Sequence, residues 1–195
     1  MIAMPATAAE PARAFLDGLR DRGYHDIAID YLDQLANSPL APPELKETIL
    51  YEKALTLITS ARAQRDPQAS VKLLDDAQRL LQQFVQSQAS HPKSNAARSQ
   101  LGSLIFERAR MKVQQAKQGN ARVLLAEARE LYEQAYQVFV SLQAVVSEQL
   151  DQIPKVLDTT DRKQAQLAKR RTQLRADNLQ TELLAAAIRE ETADT

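Results

Sequence analysis

The chain has only two histidines, His25 and His91, and both fall in predicted turns. A metal centre needs three or four ligands at suitable spacing, and no His-x-x-x-His or His-Glu pair occurs. The paired carboxylates Asp75-Asp76 and Glu190-Glu191 lie on predicted helices. Adjacent helical positions do not face each other, so neither pair converges on one substrate, and both read as solvated surface. There is no cysteine and no Gly-x-Ser-x-Gly elbow, and four scattered glycines cannot build a phosphate-binding loop. These absences point away from an enzyme, from a metal centre and from a bound cofactor.

One charged cluster has more to offer. Arg162, Lys163, Lys169, Arg170, Arg171 and Arg175 gather at the start of the last predicted helix, partly compensated by Asp158, Asp161 and Asp177. They would suit an acidic peptide, a lipid headgroup or RNA, or simply form a solvated face. Lys169, Arg170 and Arg171 are its partner-binding candidates. No aromatic residue interleaves with them, so single-strand stacking is not expected. With 25 basic and 25 acidic side chains the net charge is zero. A general nucleic-acid binder needs a basic surplus to displace counterions, so nucleic acid is not the expected partner.

Helices must position these residues. The composition is rich in Ala, Leu, Gln, Arg, Glu and Lys, the strong helix formers, and no stretch alternates as a strand would. Six to seven helices are expected. The first runs from about Pro11 to Arg22 and stops at Gly23, and the second spans about Asp26 to Asn37 with Ile27, Ala28, Tyr31, Leu32 and Leu35 inward. Pro42-Pro43 opens a third that continues to about Arg65. Asp66-Pro67, a cap and a first-turn proline, opens the fourth, which ends near His91-Pro92. The fifth covers about Ser94 to Gln118, and the sixth about Ala121 to Gln152, some 50 Å at 1.5 Å per residue. Its expected inward stripe is Leu124, Ala128, Leu131, Ala135, Val138, Leu142 and Val145. The last runs from about Thr160 to Glu191, with Leu167, Leu174, Leu179, Leu183, Ala187 and Ile188 as its apolar set.

Internal similarity ties these helices together. Ala28-Leu32-Leu35, Ala77-Leu81-Phe84 and Ala128-Tyr132-Ala135 repeat one pattern, with the alanines 49 and 51 positions apart. A small residue admits a neighbouring helix, and larger ones fill the groove beside it. The first unit resembles the tetratricopeptide repeat. Gly23 falls at that family's turn glycine, Ala28 at its small packing position, Leu32 at its large one, and Pro39 near its closing proline. Leu101-Gly102 is similar to the Leu-Gly pair of its first helix, and Ala128, Tyr132 and Ala135 fit its second. The family's unit is about 34 residues, whereas these are nearer 50, so the likeness is to a degenerate, long-helix variant. Such variants resemble periplasmic and envelope-associated members of the superfamily.

The resemblance implies an all-α fold of antiparallel helical hairpins stacked as an α-solenoid. Three pairs, about 11–39, 43–91 and 94–153, would follow a disordered leader over 1–10, and a helix over 158–192 would cap the array or open a fourth pair. It also implies a protein–protein scaffold whose concave face holds a peptide or partner helix, with Tyr24, Asp30, Tyr51 and Lys53 as groove candidates. A self-assembling helical spacer, associating through the last helix, is the alternative. No apolar run reaches the roughly 18 residues of a membrane span. The first ten residues lack a complete export signal, although Ala6-Thr7-Ala8 has the form of a cleavage site. A cytoplasmic location and a periplasmic one reached through an upstream signal both stay open.

Overall fold

A computed structural model describes residues 9–158 and 160–195. Among the described residues there are eight helices and no strand. In order they are α1 (Ala9–Asp21), α2 (His25–Asn37), α3 (Pro43–Lys46), α4 (Ile49–Ala63), α5 (Pro67–Ser87), α6 (Ser94–Ala116), α7 (Ala121–Asp151) and α8 (Arg162–Ala193). The leader expected over residues 1–10 lies outside the described residues as far as Ala8. No helix of the described residues is long and apolar enough to cross a membrane.

Eight helices replace the expected six to seven because the third one breaks in two. The Thr48 hydroxyl donates to the carbonyls of Glu44 and Leu45, both at 3.2 Å, and its backbone leaves the helical region at φ −108°, ψ 7°. Side chains that bond back to the preceding turn compete with the helical ladder, and here the competition ends α3 and restarts the chain as α4. The other boundaries follow the punctuation of the sequence. Asp66 accepts from the Gln68 amide at 2.9 Å, and Asp161 accepts from the amides of Lys163 and Gln164. Each carboxylate thus satisfies amide donors that a helix start leaves open. At the end of α1, Gly23 takes φ +75°, its amide donates to the Arg20 carbonyl, and the Tyr24 amide donates to Leu19, both at 2.9 Å. This paired closure needs a residue at ease in the left-handed region.

The chain divides into two compact units between Ala97 and Arg98. In the first, α4 is the central rod: Ile49, Tyr51, Glu52, Ala54, Thr56, Leu57, Ile58, Ser60 and Ala61 are all buried. Helix α5 runs antiparallel to it. Ser70 Oγ donates to the Ala61 carbonyl at 2.9 Å near one end, and the Tyr51 and Phe84 rings lie 5.6 Å apart near the other. Leu16 of α1, Ala28 and Leu32 of α2 and Ile49 of α4 form a core cluster. Ala77, Leu81 and Phe84 are fully buried on α5.

The second unit is built on three long helices. Phe139 of α7 lies over Gly102 of α6, Phe106 sits 5.8 Å from Tyr132, and Lys112 pairs with Glu127 at 2.6 Å. The contacts run in opposite order along α6 and α7, so the two are antiparallel. Helix α8 returns along α7 through Gln143–Glu182 at 3.1 Å and Tyr132–Glu191 at 2.9 Å. The buried stripe of α7 is Ala128, Tyr132, Ala135, Phe139, Leu142 and Val146. It keeps the expected alternation of four and three but is turned from the stripe expected after Ala128, leaving Leu131, Val138 and Val145 half-buried. The aromatic rings decide the rotation, because Phe139 has a glycine opposite to receive it and no larger side chain would leave room.

Candidate partner-binding surfaces

The most heavily built polar feature of the first unit is centred on Glu52, a carboxylate 3% exposed on α4. Arg13 reaches it from α1 at 2.6 Å, Arg20 at 3.0 Å, and Lys93, just before α6, at 2.7 Å. Arg20 also donates to the Glu52 carbonyl at 2.6 Å and to the Thr56 hydroxyl at 2.9 Å. Burial alone would raise the Glu52 carboxyl, but the hydrogen bonds and charges of Lys93 and Arg20 outweigh it and hold the group below the ordinary glutamate range. Arg13, Arg20 and Lys93 are all cations of its own unit. The arrangement joins α1, α4 and the α5–α6 connection, and it acts as a structural junction.

A different face of the same unit is open. Phe15 of α1, Tyr24 at the N-cap of α2 and Ile27 of α2 are 52%, 52% and 53% exposed. Ile27 and Tyr31 are four residues apart and share one side of α2. The Phe15 ring meets the Tyr31 ring edge-on at 4.9 Å and extends the patch onto α1. Burial raises the Tyr31 hydroxyl pKa above its ordinary value. Beside this stripe stand Asp26, Asp30 and Asp33, all exposed and spaced along the adjoining side of the helix. Asp33 is paired with Lys53 of α4. Ile27 was expected to point inward. It faces water because Ala28, one position on, is the residue that enters the core.

No family model, curated protein or solved structure matches the chain. The surfaces themselves must therefore carry any functional argument. Of the four groove candidates, Tyr24 and Asp30 are exposed and adjoin the open patch. Tyr51 is buried against Phe84 with Lys93 over its ring at 5.0 Å, and Lys53 is engaged by Asp33. Burial, then the Glu52 charge, raises the Tyr51 hydroxyl pKa. His91 lies in the α5–α6 connection, as expected, whereas His25 is not in a turn but opens α2. His25 is buried at the start of α2, and His91 packs edge-on against Phe84 while its Nδ1 accepts from the Lys93 amide at 3.1 Å. Among the described residues no group of three or more histidine, aspartate or glutamate side chains could hold a metal ion.

In the second unit the basic cluster divides by role. Lys169 and Arg170 are exposed, whereas Arg171 turns back and donates to the carbonyls of Lys155 at 2.7 Å and Pro154 at 3.4 Å. It thereby fastens the α7–α8 connection. Nor is the Glu190-Glu191 pair plain surface. Glu191 accepts from the buried Tyr132 hydroxyl at 2.9 Å and lies 3.4 Å from Arg110. Burial first, then the Glu191 bond and charge, push the Tyr132 hydroxyl up to about 12. A raised tyrosine pKa stabilises fully below the unfolded value of 10.0 and is lost as pH climbs through the folded one. Replacing Tyr132 by phenylalanine should cost about 1.5–3 kcal/mol, the range for a hydrogen bond to a charged group, and should remove that alkaline loss. Urea unfolding at neutral and alkaline pH reads both effects, and equal pH profiles for the two proteins would refute the assignment.

Proposed function

We propose that this chain is a non-enzymatic protein–protein scaffold of tetratricopeptide-like type, and that the α1–α2 hairpin takes a partner helix. The reading rests above all on the exposed Phe15–Tyr24–Ile27 patch beside Tyr31. Large apolar side chains grouped on one face, rimmed by charge, mark interaction surfaces more often than singly scattered ones do. The supporting pattern is the acidic rim of Asp26, Asp30 and Asp33. An amphipathic helix with an apolar stripe flanked by lysine or arginine complements both features, the stripe for affinity and the charges for register and approach. The full burial of Ala28, Ala77 and Ala128 supports the repeat-type packing that would hold such a surface rigid.

A direct test uses two labelled amphipathic peptides with the same leucine stripe, one flanked by lysines and one by glutamates. Fluorescence anisotropy should give the lysine peptide a Kd on the order of micromolar, about −8 kcal/mol, and leave the glutamate peptide at least tenfold weaker. Ile27→Asp, at a position half exposed to water, should weaken the lysine peptide tenfold or more with helix content unchanged. Equal affinity for both peptides, or no effect of Ile27→Asp, would overturn the reading.

A further inference from the structure

The last helix carries two apolar faces, although its sequence suggests one. Leu174, Thr181 and Ile188, seven residues apart, are buried in the second unit. Ala176, Leu179, Leu183 and Ala186 alternate at steps of three and four on another side, and all four are exposed, Leu179 to 58% and Leu183 to 63%. Steps of three and four are the period at which one helix seats against another.

The charges along α8 are segregated. Between the Asp161 cap and Asp177 stand Arg162, Lys163, Lys169, Arg170, Arg171 and Arg175, with no acidic side chain among them. From Asp177 onward the acidic Asp177, Glu182, Glu190 and Glu191 dominate, with Arg189 turned to Glu133 and the Tyr136 ring. This order opposes the helix's own dipole, which favours acidic groups near the start and basic groups near the end. The helix alone bears that cost. A second α8 laid antiparallel on the exposed stripe reverses it, because basic starts then face acidic ends.

We propose that two copies of this chain associate through α8, antiparallel, about the Ala176–Leu179–Leu183–Ala186 stripe. Lys169 of each copy, in line with the stripe, faces Glu190 and Asp194 of the other, beyond the two ends of the stripe. A parallel pairing would set like charges together at both ends, and like-charge juxtaposition is what fixes orientation between helices. The pairing is independent of the α1–α2 surface, so peptide binding there and self-association here succeed or fail separately.

Sedimentation equilibrium over a wide concentration range tests the association. The wild-type chain should form a dimer that dissociates as salt is raised. Leu179→Ser with Leu183→Ser should be monomeric with unchanged helix content, since both side chains are exposed. Lys169→Glu should weaken the dimer at least tenfold, and mixing that variant with Glu190→Lys plus Asp194→Lys should restore it. The chain has no cysteine, so single-cysteine variants report orientation cleanly. Gln180→Cys, near the centre of the stripe, should cross-link to itself under mild oxidation, and Gln166→Cys, near one end, should not. A monomer at every concentration, or the opposite cross-linking order, overturns the proposal.

Discussion

Replacing Glu52 by alanine should destabilise the first unit by about 3–5 kcal/mol, the range found when one partner is removed from a buried ion pair. The loss arises less from the missing attraction than from what stays behind. The Arg20 side chain is only 14% exposed, and without the carboxylate its charge is held in a poorly hydrated site near Lys93 and Arg13, with only the half-exposed Asp17, at 3.3 Å, to offset it. Arg13→Ala should cost far less, about 0–1 kcal/mol, because that side chain is half in water. Acid should imitate the Glu52 variant. The folded carboxyl is held below its ordinary 4.5, so its contribution is complete above that pH and disappears as pH falls toward the folded value. Glu52→Gln should flatten this acid limb. Urea titrations followed by circular dichroism between neutral and acid pH measure all three effects. A Glu52→Ala protein as stable as the parent would show that the three cations are hydrated and that the junction contributes nothing.

The second unit should be most sensitive at Gly102. A β-carbon built there comes within 2.7, 2.8 and 3.1 Å of three atoms of the Phe139 ring. The ring is fully buried, so it cannot swing aside without displacing other core atoms. Alanine would gain about 1 kcal/mol of helix propensity over glycine. Overpacking costs about 1–3 kcal/mol and rises with size, so we expect a net loss of up to about 2 kcal/mol for Gly102→Ala and a larger one for Gly102→Val. Phe139→Leu should recover part of the loss in the Gly102→Ala background, and a double-mutant cycle isolates that coupling. Strict additivity of the two changes would refute the close approach as its cause.

The helices were legible because their limits are written locally. Asp66-Pro67, Gly23 and Pro42-Pro43 each act within one turn of themselves, and the small residues Ala28, Ala77 and Ala128 announce which side faces inward. Thr48 was missed because its break depends on a hydroxyl choosing carbonyls of the preceding turn, a choice that composition does not reveal. Rotation about a helix axis was harder still. Ile27 and Ala28 both suit an inward position, as do Leu131 and Tyr132, and only the neighbouring helix decides between them. On α8 the same ambiguity merged two faces into one, so Leu179 and Leu183 were grouped with Leu174 and Ile188. Glu52 left no signal at all. A lone glutamate inside a helix reads as surface, and its three cations come from positions 13, 20 and 93. Of the groove candidates, Tyr24 and Asp30 reach water, while Tyr51 belongs to the core.

The Glu52 junction also constrains how the first unit can loosen. Helices at the edge of a small domain ordinarily fray one at a time, each opening at little cost to the rest. Lifting α1 away would strip Glu52 of Arg13 and Arg20 at once, leaving Lys93 as its remaining cation. The outer helix therefore cannot melt alone at low cost, and segments some eighty positions apart are made to open together as one cooperative body.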